Sequence, residues 1–268
     1  MEYDRLEYTQ QEFMAIVTRR EIKDGQLIIL GVGLSMLAGY FAQKNHAPNL
    51  MPFTEGGVYG STPVGGLPWG IECNRISANA TSFTNAIDAL GFLVASGRCD
   101  NAVIGAAQVD KHGNVNTTGI WEEPPWKLGK YTPPRIRLNG SGGANDISVG
   151  AKSYLIMASH EKRRFIEKVD YISSPGYLDV GDARKRAGFV GGGPSAIIST
   201  LGILRPDSES KEFVLTAYYP FTNVEKVKES TGWDLKVSDE VKMVPEPSEL
   251  ELANLRSVDT TGSLRKKG

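Results

Sequence analysis

Glu55 is the residue in this sequence best placed to do chemistry. It ends a short apolar run and is followed at once by two glycines, in Leu50-Met-Pro-Phe-Thr-Glu-Gly-Gly57. An apolar run this short, after the loop proline Pro48, reads as a buried strand. A carboxylate at the carboxyl end of such a strand lies where open α/β sheets gather their ligands. It can act as nucleophile or general base, and the glycines leave room for a substrate to approach. Taken by itself, the same pattern also fits a solvated glutamate beginning a surface turn.

Two further glycine groups could bind anions. Gly31-Val-Gly33 joins an aliphatic run at 27–30 to a helical pattern at 34–45. Bare amides at a helix N-terminus attract phosphate or carboxylate. A tight strand-to-helix turn explains Gly31 and Gly33 as well, and Met36 stands where a dinucleotide fingerprint has its third glycine. Gly140-Ser-Gly-Gly-Ala-Asn-Asp146 could form an anion nest, with a short helix starting at Ala144. His112, in Lys-His-Gly, reads as a solvated turn histidine, and His160 reads as a surface one. The basic run at 162–164 is short and interleaved with acids, which marks a solvated face.

These groups need a frame. Thr9 with Glu12 is a capping-box pattern that opens a helix over 10–23, stopped by Gly25. The run at 27–30 is aliphatic throughout, as in a strand covered on both faces. A helix is expected over 81–96, with Phe83, Ile87, Leu90 and Val94 on a core face. Strands follow at 102–107, 153–157, 196–200 and 213–219, the last two joined by a polar turn over 204–211 that contains Pro206. The segment 121–134 carries four prolines and two tryptophans, so it reads as loop; Trp121 and Trp126 either cover a partner or pack on their own domain. The stretch 181–193 is glycine-rich and basic, hence loop, and beyond Pro220 the pattern is helical. The chain reads as one domain over 1–256 with a disordered polar tail at 257–268.

Composition narrows the function. With 268 residues, 40% hydrophobic and 23% charged, the chain can bury a sizeable core. A formal net charge of -1 gives no reason to expect nucleic acid or an anionic membrane as partner. Cys73 and Cys99 lack metal-ligand spacing, which favours a reducing, cytoplasmic compartment and no metal site. No apolar run approaches the roughly 18 residues of a membrane span, and the N-terminus is unlike a signal peptide.

Several stretches together resemble the class I (family I) CoA-transferases, and among them the B subunits of glutaconate CoA-transferases. They are Thr54-Glu-Gly-Gly57, Gly105-Ala-Ala-Gln-Val-Asp110 with Gly113-Asn-Val-Asn116, Gly140–Asp146, His160-Glu-Lys-Arg-Arg-Phe165, Val169-Asp-Tyr-Ile-Ser-Ser-Pro-Gly176 and Ala217-Tyr-Tyr-Pro220. The resemblance covers nearly the whole chain in order. It implies an open, mostly parallel α/β sheet with helices on both faces. It puts the catalytic glutamate at Glu55 and the glycine-alanine element of the thioester site at Gly142, Gly143 and Ala144. Asn145, Gly31, Gly33 and Gln108 complete the implied oxyanion and CoA-binding set. No cofactor is permanently bound, because the coenzyme A thioester is itself a substrate. The implied partner is an A subunit of similar fold, in an α2β2 or larger hetero-oligomer. Acyl-CoA hydrolysis or decarboxylation on the same fold, or a non-catalytic role in the complex, remain the alternatives.

Overall fold

The computed structural model describes residues 8–71 and 73–262. The expected tail therefore lies outside the described residues from 263 onward, and 257–258 belong to a helix. The chain divides into two compact units, Met1–Val103 with Pro245–Gly268, and Ile104–Val244.

The first unit opens with α1 (Gln10–Arg20), capped by the reciprocal Thr9–Glu12 box. Next come β1 (Leu27–Leu30), α2 (Leu34–Asn45), β2 (Met51–Phe53), β3 (Val58–Tyr59), β4 (Ser82–Phe83) and β5 (Asn101–Gly105). The strands lie in the order β5-β1-β2-β3-β4. β1 runs parallel to both β2 and β5, with Ile29 opposite Phe53 and Ala102. The β3 and β4 pairings are antiparallel.

The expected helix over 81–96 is corrected. Residues 82–83 are strand β4, and only Ile87–Val94 winds, as a π-helix. Its supposed core face is in water at Phe83 (63% exposed) and Ile87 (79%).

The second unit begins with two short antiparallel pairs, β6 (Gln108–Val109) with β7 (Val115–Asn116), and β8 (Gly119–Ile120) with β9 (Ile136–Arg137). Between β8 and β9 the proline-rich segment holds a one-turn helix, α3 (Pro125–Leu128), where a loop is expected. Proline at its first position needs no amide bond there. Then follow α4 (Ala144–Gly150), β10 (Tyr154–Ala158), α5 (Ala183–Arg186), β11 (Pro194–Ser199), β12 (Gly202–Pro206), β13 (Phe213–Tyr218), α6 (Val224–Glu229) and β14 (Val237–Met243).

The main strands of this unit are ordered β14-β13-β12-β11-β10. β10–β11 and β13–β14 are parallel, whereas β11–β12 and β12–β13 are antiparallel. Both β12 and β14 contradict the sequence reading. Pro206 ends β12 at its last residue instead of marking a turn, and the charged run at 237–243 is a strand with little buried surface. A short helix, α5, also replaces part of the loop expected over 181–193.

The last helix, α7 (Glu249–Val258), returns to the first unit under a second capping box, Ser248–Glu251. Glu251 pairs with Arg19 at 2.7 Å, and Arg256 with the buried Glu12 at 2.8 Å. A short, weakly apolar helix is thereby fixed to α1 by charge, with Leu252 and Leu255 buried beneath it.

Candidate active site

Glu55 lies two residues past β2, at the carboxyl end of that strand. Buried Thr54 anchors the turn: its amide donates to the Val58 carbonyl at 3.1 Å, and its carbonyl accepts from Gly57 N at 3.0 Å. Phe53 and Tyr59 stack across the turn with ring centres 5.3 Å apart. The half-buried Glu55 therefore sits on a short, tightly closed hairpin rather than on a mobile loop.

The two glycines after it differ in role. Gly57 has φ +86°, and a Cβ there would meet the Thr84–Asn85 backbone at 2.6 Å. A Cβ on Gly56 would meet only Thr54 Oγ1, at 3.8 Å, so Gly56 is the one that leaves open space.

Gly31 and Gly33 share this edge of the sheet. Because Ile29 stands opposite Phe53, the end of β1 and the end of β2 lie side by side. Gly33, at φ +93°, precedes α2 without a side-chain cap. Ser35 Oγ donates to the Gly31 carbonyl at 2.5 Å and braces the turn.

In the second unit, Gly140 (φ +93°) and Gly142 (φ +52°) bend the chain into α4. Gly143 is the residue before α4, with φ −76° and ψ −1°, and Ala144 N donates to the Ser141 carbonyl at 3.0 Å. Asn145 is exposed in the first turn.

Among the described residues, no group of three or more His, Cys, Asp or Glu could hold a metal ion. A cavity of about 540 Å³ in the first unit, lined by Tyr40, Lys44, Val64, Leu67 and Val258, does not include Glu55.

A model of the family described as coenzyme A transferase matches residues 12–230. The chain belongs to that family. It is 37% identical to the B subunit of the glutaconate CoA-transferase of Acidaminococcus fermentans, over 93% of this chain and 92% of that one. It is 35% identical to the B subunit of the 3-oxoadipate CoA-transferase of Pseudomonas knackmussii, over 94% of each. The crystal structure of glutaconate coenzyme A-transferase from Acidaminococcus fermentans superposes with a TM-score of 0.89 and 33% identity, covering 98% of this chain and 99% of that one.

In this CoA-transferase family chain, the motif around Gln108 turns out to be scaffolding. Gln108 is buried; its Nε2 donates to Asp170 at 3.2 Å and its Oε1 accepts from Asn116 Nδ2 at 2.7 Å. Asp110 accepts from the amides of His112 and Asn114 at 3.0 Å and from Asn114 Nδ2 at 3.1 Å. Burial pushes the Asp110 carboxyl up to about 6. Asn114 Oδ1 in turn accepts from the amides of Gly176 and Leu178 at 2.9 and 3.1 Å. The Gln-x-Asp and Asn-x-Asn spacings thus knit two loops together.

Both expected surface histidines are buried. His112 is 8% exposed, and desolvation lowers its pKa. His160, 5% exposed, stacks on Phe165 with centroids 3.7 Å apart. Its nitrogens lie 2.8 Å from Ser199 Oγ and 3.0 Å from Thr231 Oγ1, and burial drives its pKa down to about 3. Polar neighbours in the sequence suggest a surface site, but the partners that bury His160 are 39 and 71 residues away.

Arg184 is the residue that sequence reading missed. Buried, it donates through Nη1 to the carbonyls of Pro175 and Gly176, and through Nη2 to those of Ser148 and Gly191. Ser148 belongs to α4, so this guanidinium helps hold the helix that follows Gly143. Only the alternation of glycine and base at 181–193 hinted at it.

Proposed function

We propose that this chain is the B subunit of a coenzyme A transferase and that Glu55 carries the CoA between an acyl-CoA donor and a carboxylic acid. The observation that carries the reading is a carboxylate held in a closed turn at the carboxyl end of a parallel strand, with open space at Gly56. A Glu55 oxygen attacks the donor carbonyl, the carbon–sulfur bond breaks, and CoA thiolate leaves with a mixed anhydride behind it. The thiolate then attacks the Glu55 carbonyl, expels the donor acid as its carboxylate and leaves a glutamyl-CoA thioester. An acceptor carboxylate runs the same two steps in reverse. A glutamate is itself an acid of comparable strength to donor and acceptor, so each exchange is near thermoneutral.

The tetrahedral oxyanions need donors, and the turn at Gly142, Gly143, Ala144 and Asn145 is the proposed source. Gly31 and Gly33, beside Glu55 at the sheet edge, are assigned to CoA or carboxylate contact, with Gln108 holding its own loop in place. No resident cofactor is required, because the thioester energy never leaves the carboxyl exchange. Glutaconate and 3-oxoadipate, named for two relatives, are both dicarboxylic acids, and that class is the proposed acceptor. The relatives are B subunits, so the working enzyme is a hetero-oligomer with an A subunit. No helix among the described residues is long and apolar enough to cross a membrane. With Cys73 and Cys99 both buried as thiols, this suits a cytoplasmic enzyme.

The test is to incubate the assembled enzyme with an acyl-CoA donor and no acceptor, then reduce with borohydride. CoA is expected on Glu55, and reduction should leave an alcohol at that residue. If donor alone never labels Glu55 while the same enzyme forms product once acceptor is added, the covalent reading is overturned.

A further inference from the structure

We infer that the cavity beside Arg184, in the second unit, is a binding site for a phosphate group. The cavity has a volume of about 470 Å³, and its walls include Tyr177, Asp182, Arg184, Lys185, Phe189 and Lys211. None of the residues assigned above to the carboxyl exchange lines it. The site therefore stands or falls apart from the chemistry of Glu55.

Arg184 is only 7% exposed, and among the described residues no carboxylate pairs with it. A guanidinium carries five N–H donors. Four of them go to the carbonyls of Pro175, Gly176, Ser148 and Gly191, at 2.6–3.1 Å. The fifth, on Nε, is buried and has no hydrogen-bond partner. A buried donor left in this state needs an acceptor from outside the chain. Space is kept for one, because Nε lies 3.1 Å from where a Cβ on Gly193 would stand, and Gly193 has none. The carbonyls orient the guanidinium but bring no charge to balance it.

The charges around the cavity select the ligand. Lys185 and Lys211 add two ammonium groups to the guanidinium. Lys211 Nζ donates to the Ser208 carbonyl at 2.7 Å and lies 5.7 Å from the centre of the Tyr177 ring, and neither lysine pairs with a carboxylate among the described residues. The one acid in the wall, Asp182, is already paired with Arg186. The balance is positive, so the absent partner is an anion. A carboxylate would offset one of three cations. A phosphate brings up to two charges, and its oxygens point in several directions, so it can accept from Nε and both ammonium groups together. The cavity is larger than a phosphate ion, and Tyr177 and Phe189 wall the space left for the organic part of a phosphate ester.

Calorimetric titration of the full chain with inorganic phosphate, and separately with pyrophosphate, tests the site at constant ionic strength. Saturable binding is expected for the wild type. The double variant Lys185→Gln/Lys211→Gln should raise Kd about 10-fold or more, because two charge-assisted contacts are lost. Lys226→Gln/Lys228→Gln removes the same charge from the exposed face of α6 and should leave Kd unchanged. Phosphate should also slow amide hydrogen exchange over 188–193 in the wild type and not in the first double variant. Should that variant not fold, Lys185→Gln alone, at an exposed position, should still raise Kd about 3-fold.

Two sources of the phosphate are told apart on the assembled enzyme. If Lys185→Gln/Lys211→Gln raises KM for an acyl-CoA but not for its 3′-dephospho analogue, the site holds the ribose phosphate of CoA. If KM is unchanged for both while phosphate binding is lost, it holds a free phosphate or another phosphate ester. Absence of saturable binding of either probe to the wild type would overturn the site. So would an equal loss in the two double variants, which would mean that only net charge attracts the anion. Both titrations are independent of turnover, so an inactive enzyme that binds phosphate normally counts against the Glu55 chemistry alone.

Discussion

The amide of Gly57 donates to the carbonyl of Thr54 at 3.0 Å, and the two residues this bond encloses are Glu55 and Gly56. The direction of Glu55 thus depends on a turn that only glycine can close, since Gly57 has φ +86° and lies against the Thr84–Asn85 backbone.

Two alanine variants separate fold from approach at this turn. Gly57→Ala meets both a left-handed backbone and a backbone clash, and it should cost about 2–3 kcal/mol in urea unfolding. Gly56→Ala meets only an ordinary contact at 3.8 Å, so its stability should match the wild type. If Gly56 is the open side of Glu55, that variant should still lose turnover. A Gly56→Ala enzyme with normal kinetics would place the substrate elsewhere.

How much of this was legible in the sequence depends on the range of the interactions involved. The Thr9–Glu12 box, the strand at 27–30, the turn at 31–33 and α2 are local patterns, and each formed where its residues pointed. Glu55 at a strand end follows from the same kind of pattern. The helix over 81–96 failed because periodicity shows which residues share a face but not whether the chain buries it, and here Phe83 and Ile87 stay exposed. β14 failed for a related reason: its alternating charges resemble a solvated helix, yet β13 offers it a parallel edge through Leu215 and Ala217. His160 was misread because its partners come from segments 39 and 71 residues away, and Arg184 was missed because it bonds backbone carbonyls, which leave no side-chain pattern in the sequence.

The burial of His160 makes a pH prediction. Its pKa is lowered to about 3 in the fold against an ordinary 6.5, so below about pH 6.5 the unfolded chain binds a proton that the folded chain refuses. Stability from this residue is complete above that pH and is lost progressively as pH falls toward 3. Between pH 7.5 and 5 the wild type should lose about 2 kcal/mol more than His160→Gln, measured by denaturant unfolding at each pH. Parallel pH profiles for the two proteins would mean that His160 takes up its proton in the fold as readily as in the unfolded chain.

Arg184 should be irreplaceable by lysine. Its planar fork serves four carbonyls at 2.6–3.1 Å, and a single ammonium cannot reach them all. Arg184→Lys should destabilise the chain by about 3 kcal/mol, seen as a lower melting temperature. Because one of those carbonyls is Ser148 in α4, turnover of the folded fraction should fall too.

Gly143 tests the proposed oxyanion turn. Its φ of −76° and ψ of −1° are open to any residue, so Gly143→Ala carries no backbone strain. If amides there receive the oxyanion, a methyl group that displaces the substrate by about 1 Å should lower kcat by about 100-fold with the melting temperature nearly intact. A folded variant with full turnover would remove this turn from the site.

Nucleophile and general base make different demands on Glu55, and two conservative variants tell them apart. A base needs only a carboxylate within hydrogen-bond reach, directly or through one water, so Glu55→Asp could still serve through an intervening water. A nucleophile must bring its own oxygen onto the donor carbonyl and then present its own carbonyl to the thiolate. Shortening the side chain by one methylene moves both atoms on a turn too tightly hydrogen-bonded to follow. Transfer by Glu55→Asp should therefore fall by about 100-fold or more, while slow hydrolysis of the acyl-CoA persists as water fills the gap. Glu55→Gln keeps the length but lacks the attacking oxyanion, so it should form no acyl anhydride and no CoA adduct. If Glu55→Asp transfers CoA between acids at the wild-type rate, Glu55 does not carry the acyl group and the covalent assignment fails.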